Sequence, residues 1–294
     1  MIHVSKPLMD IVRRCPRGHC VISYIYDPEP ILTIHNTSNR NKVKSDLLNY
    51  CLFIPKRRKI MSEDSLLSRY KTTHEGYMKR ILATIFSGPY KDSIAFKWGT
   101  LAYLHYGLPR FSTDIDLDLL DISVEQSFID YMDTALLTLG SVEKRVWKNL
   151  HRRRFRYDSN ARIIKIELNK RENTYNVYET VRIDTMDIQC QNCSSMVSNK
   201  LLALGERWYN RDLYDIHYFL SKWYRFDEKI VYDGTHKTLA ERINYIITDI
   251  PEHFNETSVL HQLGEVLDVK QKPRVKTHLV TETTKLLQLY LTTL

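Results

Sequence analysis

The sequence predicts a mixed α/β (α+β) core with a small mixed sheet, followed by a helical C-terminal domain. Between Met61 and Cys193, stretches with helical spacing of apolar residues alternate with short stretches of strand-like alternation. From Ser194 onward, apolar residues recur at helical spacing. The 294 residues are 43% hydrophobic, which is enough for a packed core. We therefore expect a core over residues 61–193 and a helical domain over residues 194–294.

The elements of the core are predicted from their ends. A helix begins at Ser62 and ends near Gly88, where Ser-Gly-Pro stops it. A buried strand over Ser93–Lys97 leads to a turn at Gly99. The later elements of the core are, in order, a helix over 101–106, a strand over 111–120, a helix from the capping box 123–126 to Gly140, a hairpin over 155–168 and a second hairpin over 175–188. The C-terminal domain begins with a helix from Ser194 or Ser198, followed by a helix over 212–223.

The positive charge is concentrated at the N-terminus. The chain carries 43 Lys+Arg and 35 Asp+Glu, a net charge of +8. Residues 1–60 hold 11 of the basic and 4 of the acidic residues, a net of +7, which leaves +1 for residues 61–294. We hypothesise that residues 1–60 are an N-terminal extension. Either it is translated leader and the biological start is Met61, or it is a genuine segment that binds a partner or nucleic acid.

Several classes of protein are excluded by composition. There is no run of about 18 apolar residues, so we expect no membrane span. Arg13 and Arg14 lie where a secretory signal would need its apolar core, so we do not expect an exported protein. Five cysteines form no even disulfide framework, and we interpret Cys190 and Cys193 as reduced thiols rather than half of a zinc site. A cytoplasmic protein is expected.

Two carboxylates indicate metal-assisted chemistry. Asp114 and Asp116, two residues apart on a predicted strand, point to the same face, where they can chelate a hard cation such as Mg²⁺. Gly99 precedes them at a strand-to-helix turn, where backbone amides can approach a phosphate. Glu167 on a neighbouring strand could complete a two-metal site. These parts favour nucleotidyl transfer, although Asp-x-Asp pairs on exposed strands are also common without function.

Four motifs resemble those of the AbiEii toxin nucleotidyltransferases, relatives of the MenT toxins within the polymerase-β-type superfamily. The resemblance covers roughly residues 75–222. The motifs read Trp98-Gly-Thr100, Arg110-Phe-Ser-Thr-Asp-Ile-Asp116, Lys200-Leu-Leu-Ala-Leu204 and Arg211-Asp-Leu-Tyr-Asp215. One departure is that Trp98 stands where the family has the first glycine of a pair.

The resemblance implies a nucleotidyltransferase core and a role for each matched position. It makes Asp114 and Asp116 the metal ligands, and it makes Lys200 and Asp212 the further catalytic residues, with Asp215 as the alternative acid. The side chains and backbone expected to bind the nucleotide are those of Gly99, Thr100, Ser112 and Lys200.

A basic strand provides a candidate surface for RNA. Arg152, Arg153, Arg154 and Arg156 are interleaved with aromatic residues, a pattern that suits phosphates and splayed bases. The same pattern also occurs on solvated edge strands.

The resemblance implies a cytoplasmic toxin of a toxin–antitoxin system of the phage-defence type, with a cognate antitoxin as partner. It would use Mg²⁺ to transfer NMP from an NTP to an acceptor hydroxyl, most simply the 3′ end of an RNA such as tRNA. Two alternatives stay open, namely a protein or small-molecule acceptor, and a catalytically silent relative that binds nucleotide or RNA.

Overall fold

The chain divides into two compact units, Met1–Ile60 and Met61–Leu294. The computed structural model describes residues 13–14, 20–21, 63–159, 161–170 and 175–294. In the first unit, the short strands β1 (Arg13–Arg14) and β2 (Cys20–Val21) pair antiparallel. The hypothesis about the origin of residues 1–60 lies outside these described residues.

The second unit is built on a seven-stranded mixed sheet in the order β5-β6-β7-β4-β3-β9-β8. Its strands are β3 (Ile94–Lys97), β4 (Asp114–Leu119), β5 (Ser141–Trp147), β6 (Leu150–Arg156), β7 (Ile164–Asn169), β8 (Tyr178–Ile183) and β9 (Met186–Gln191). β4 pairs antiparallel with β3 and parallel with β7. The β4 strand therefore lies inside the sheet, with a neighbour on each side.

The two faces of β4 differ in chemistry because successive side chains point to opposite sides. Ile115 and Leu117 are fully buried in the core, while Asp114 and Asp116 lie half-buried on the other face. This confirms the alternation expected from the sequence. Asp118, on the same face as the other two carboxylates, is buried.

Helices cover the apolar face and form the C-terminal part of the unit. They are α1 (Glu63–Phe86), α2 (Trp98–Leu104), α3 (Glu125–Leu137), α4 (Cys193–Arg207), α5 (Asn210–Ser221), α6 (Glu228–Thr235), α7 (Leu239–His253) and α8 (Lys272–Leu291). α1 contacts α3 and β9, α4 contacts α5 and α6, and α8 contacts α5 and α7. One continuous core joins the sheet to these helices. No described helix is long and apolar enough to cross a membrane.

Three local expectations were wrong, each for a physical reason. The capping box at 123–126 does not form, because the Asp121 side chain accepts from the Ser123 amide and starts a short 3₁₀ turn before α3. No strand is predicted at β5, because its residues are exposed on both faces and polar and apolar side chains do not alternate along it. The turn expected at Gly99 is absent, because α2 begins directly after β3, at Trp98.

Candidate active site

The two carboxylates of the Asp-x-Asp motif lie on the polar face of the sheet beside β7. The register places Asp114 opposite Lys165 and Asp116 opposite Glu167. Lys165 Nζ lies 3.3 Å from Asp114 Oδ2. The parallel pairing of β4 and β7 thus brings Glu167 next to Asp116, as the sequence suggested.

Asp116 carries a strongly perturbed carboxyl group. Burial, together with the neighbouring Glu167 and Asp114 carboxylates, raises its pKa to about 7. The positive charges of Lys97 and Lys200 partly counteract this rise. Lys200, although far from Asp116 in sequence, is therefore close enough to interact with it electrostatically. Lys97, opposite Asp116 on β3, and Lys200 of α4 also flank the ring of Trp98, so the sheet half and the helical half of the site are adjacent.

Glu167 is engaged by a cation from the next strand. Arg152 Nε lies 2.6 Å from Glu167 Oε1, and both side chains are partly exposed. The guanidinium of Arg152 also lies 4.9 Å from the centre of the Trp147 ring. Glu167 is thus adjacent to the carboxylate pair, but it is paired with an arginine.

The donor set fits one hard cation better than a preformed two-metal site. Among the described residues, no group of three or more His, Cys, Asp or Glu side chains is arranged to hold a metal ion. Asp114 and Asp116 share one face, and the raised pKa of Asp116 reflects negative charge that a cation would neutralise. These two carboxylates therefore suit Mg²⁺, whereas Glu167 would first have to leave Arg152.

Three of the residues expected to bind nucleotide pack together where the start of α2 meets the start of β4. Thr100 Oγ1 donates to Ser112 Oγ over 2.8 Å and contacts the Asp114 carbonyl oxygen. A Cβ added at Gly99 would lie 3.1 Å from Arg110 Nη2 and 3.2 Å from Ser112 Oγ, so a side chain there would crowd both groups. Thr100 and Ser112 are buried. The structure thus brings the first turn of α2 and the Asp-x-Asp strand into direct contact.

Lys200 lies at the centre of a buried ionic network between α4 and α5. Its Nζ is 3.1 Å from Asp212 Oδ1 and 2.8 Å from Asp215 Oδ2. Arg110 binds Asp215 with two hydrogen bonds of 2.6 Å, and Arg207 Nε lies 2.7 Å from Asp212. Burial opposes ionisation of Asp215, yet Arg110 and Lys200 hold its pKa below its ordinary value. Both acids proposed from the fourth motif therefore bind the lysine of the third.

Trp98 adopts a backbone conformation that favours glycine. Its φ is 65°, in the left-handed region that bulky residues rarely occupy. The indole ring lies near three cations, with its centre 5.6 Å from Lys97 Nζ, 5.1 Å from Lys200 Nζ and 5.2 Å from the Arg207 guanidinium carbon. The tryptophan thus keeps the backbone geometry of a glycine while placing a large ring over the cations of the site.

Comparison with known proteins identifies the family. The model of a family described as nucleotidyl transferase AbiEii toxin, type IV toxin–antitoxin system, matches residues 80–277. The chain belongs to this family. The expected resemblance is confirmed, and a nucleotidyltransferase of a toxin–antitoxin context is established at the level of the family. No curated protein sequence matches the chain significantly.

Solved structures share the fold of this AbiEii family member. The JHP933 protein of Helicobacter pylori is 20% identical, with a TM-score of 0.53, and the match covers 76% of this chain and 92% of that one. A nucleotidyltransferase described as putative, also from H. pylori, is 21% identical over 76% and 95% of the two chains, with a TM-score of 0.53. MenT4, a nucleotidyltransferase toxin of Mycobacterium tuberculosis H37Rv, is 15% identical over 76% and 89%, with a TM-score of 0.51. The expected mixed α/β nucleotidyltransferase fold is confirmed.

The basic strand of this AbiEii chain separates into two faces. Arg153 is buried, 2% exposed, with its Nη2 3.0 Å from Asp133 Oδ2. Arg152, Arg154 and Arg156 lie half-buried on the opposite face, which is the face of Asp114 and Asp116. Arg153 is therefore not positioned with the other three candidate RNA contacts.

Some partners in the site were not visible in the sequence. Lys97 Nζ lies 2.6 Å from Asp118 Oδ1, and the Tyr178 hydroxyl donates to Asp118 Oδ2 over 3.1 Å. The sequence signal for Asp118 was its place as the third carboxylate of the alternating Asp-x-Asp-x-Asp strand. Its lysine partner could not be chosen without the antiparallel register of β3 on β4.

Proposed function

We propose that this AbiEii protein is a Mg²⁺-dependent nucleotidyltransferase toxin that transfers NMP from an NTP to the 3′ hydroxyl of an RNA, with tRNA as the preferred acceptor. A cognate antitoxin would counteract it in the cytoplasm, in a system that acts in phage defence. The proposal rests mainly on one arrangement. Asp114 and Asp116 share one face of β4, and Lys97, opposite Asp116, lies with Lys200 against the ring of Trp98. A carboxylate pair suited to a metal is thus close to a lysine suited to phosphate.

In the proposed mechanism, Asp114 and Asp116 hold Mg²⁺. When bound, the ion supplies charge neutralisation and orientation of the triphosphate. Lys200 provides a positive point charge for phosphate oxygens. Asp212 and Asp215 fix the ammonium group of Lys200, since each carboxylate lies within 3.1 Å of it. The absence of a side chain at Gly99 lets Arg110 and Ser112 pack against the start of α2, beside the proposed metal ligands.

The acceptor is proposed from the face on which the carboxylates lie. Arg152 and Arg154 continue that face across β6, and the exposed ring of Trp147 lies beside Arg152. Cations next to an aromatic ring suit a single-stranded RNA end, because bases stack on the ring and phosphates bind the guanidinium groups.

Labelled NTPs test the function directly. The purified protein is incubated with each α-labelled NTP, Mg²⁺, total RNA and cell lysate, and the products are separated into RNA, protein and small-molecule fractions. We expect label in RNA at the 3′ end. Label in protein or in small molecules would replace the proposed acceptor. NTP binding without transfer would indicate a silent relative.

The matched control is a variant of one carboxylate. Asp114→Ala should reduce transfer by at least about 10³-fold, because it removes a proposed metal ligand from a partly exposed face. Its fold should be intact, which circular dichroism checks. Full activity of a folded Asp114→Ala protein would contradict the mechanism.

A further inference from the structure

Trp98 covers cations that the proposed function needs for phosphate. The Lys200 side chain is 5% exposed, and the Lys97 side chain is 10% exposed. The indole lies within 5.6 Å of both ammonium groups and of the Arg207 guanidinium. A ring at these distances attracts the cations by its π-face and occupies the space through which an anion would reach them. In this arrangement the two ammonium groups contact buried carboxylates on one side and the indole ring on the other, so little of either lysine is exposed.

The backbone at Trp98 has an energetic cost that a glycine at this position would not have. A bulky side chain at φ 65° is a genuine outlier, and such outliers persist where surrounding contacts maintain them. The three cation contacts of the ring are contacts of that kind. A glycine would adopt the same backbone without this cost.

A buried amide on the neighbouring strand also points to a ligand. Phe96 of β3 pairs with Cys190 of β9, so the following residues, Lys97 and Gln191, share the face of the site. Gln191 is 0% exposed, and neither its Nε2 nor its Oε1 has a hydrogen-bond partner among the described residues. Buried amides are costly without partners. The closed arrangement thus leaves a polar group next to Lys97 that a ligand could satisfy.

We infer that Trp98 is a gate, whose indole occupies the triphosphate subsite and must be displaced before the triphosphate of a nucleotide binds to Lys200. The inference rests on the proposed function, since that function assigns the phosphate oxygens to Lys200. It makes Trp98 a residue that weakens nucleotide binding rather than one that holds the base.

The test separates the phosphate subsite from the base. The affinities of inorganic triphosphate with Mg²⁺, and of each Mg²⁺-bound NTP, are measured by calorimetry for the wild type, Trp98→Gly, Trp98→Asn and Trp98→Phe. Glycine and asparagine tolerate positive φ, so both small variants should fold, and thermal melting checks this. Phenylalanine keeps an aromatic ring and is the matched control.

We expect Trp98→Gly and Trp98→Asn to bind inorganic triphosphate at least about tenfold more tightly than the wild type, with Trp98→Phe close to the wild type. Equal affinity in all four proteins would overturn the inference. So would weaker NTP binding by Trp98→Gly with unchanged triphosphate affinity, because the indole would then be a stacking surface for the base.

The two proposals fail separately. Label transfer by the wild type, combined with unchanged triphosphate affinity in Trp98→Gly, would overturn the gate and leave the proposed function intact. Tighter triphosphate binding by Trp98→Gly, without label transfer by any variant, would support the gate and overturn the proposed function.

Discussion

Burial and two neighbouring carboxylates raise the pKa of Asp116 from 3.8 to about 7 in the folded protein. Between these values the native state binds a proton that the unfolded chain does not. The free energy of unfolding therefore falls as pH rises through this interval. The residue is thus a source of instability in the metal-free protein, as expected where charge is concentrated for function.

Asp116→Asn should stabilise the metal-free protein. The amide cannot ionise, so the increase in melting temperature over the wild type should grow from pH 4 to pH 8. At pH 8 we expect at least about 1 kcal/mol, or about 2–4 °C. The measurement is thermal unfolding in EDTA across this pH range. Asp187→Asn is the control, because the side chain of Asp187 is 65% exposed and pairs with Arg182 on the surface. A gain that does not depend on pH would contradict the explanation.

Residue types and spacing were sufficient to predict the polar face of β4, but not the partners of its side chains. Alternation alone predicted that Asp114 and Asp116 share one face of the strand. The pairing of Arg110 with Asp215 joins positions 105 residues apart, and nothing local encodes it. Glu167 was assigned correctly to a neighbouring strand. Its ion pair with Arg152 depends on the register between β6 and β7, which the sequence does not define.

At the scale of the elements, the break between α4 and α5 positions Asp212 and Asp215 against Lys200. Trp208 caps α4 in the left-handed conformation, so α5 starts in a new direction two residues later. Arg207 and Arg211 are four residues apart and would share one face of a continuous helix, but the break at Trp208 places them in different helices. Arg207 instead contacts Asp212 across the break. A bulky residue at this cap gave no sequence signal, since glycine or asparagine is usual there.

Because Arg153 and Arg154 lie on opposite faces of β6, their replacement should change the free energy of unfolding by different amounts. Arg153→Met should lower the free energy of unfolding by about 3 kcal/mol or more, because it leaves the buried Asp133 carboxylate with Lys144 alone. Arg154→Met should change it by less than about 1 kcal/mol, since the Arg154–Glu143 pair is exposed. Urea denaturation followed by circular dichroism measures both.

RNA binding by the same two variants separates stability from recognition. Arg154 lies on the face of Asp114 and Asp116, so Arg154→Met should weaken binding of a single-stranded RNA in fluorescence anisotropy. Arg153→Met, measured where it remains folded, should bind as the wild type does. The reverse order of the two affinities would contradict the proposed RNA surface.

At the scale of the whole molecule, most of the excess positive charge and the candidate active site lie in different units. Every candidate catalytic and nucleotide-binding residue falls within the unit Met61–Leu294, as does the family match over residues 80–277. Residues 1–60 account for +7 of the net charge of +8. The basic composition therefore carries little information about the site. The motifs and the register of β4 carry that information instead.

A protein that begins at Met61 should consequently keep its fold and its activity. Its net charge falls from +8 to +1, so non-specific RNA binding at low salt should weaken, because fewer counterions are released. Label transfer at about 0.15 M salt should match that of the full chain, since screening there leaves local contacts dominant. Thermal melting, anisotropy at two salt concentrations and the labelled-NTP assay measure these properties. Loss of transfer by a folded Met61 variant would show instead that residues 1–60 contribute to the site or to its acceptor.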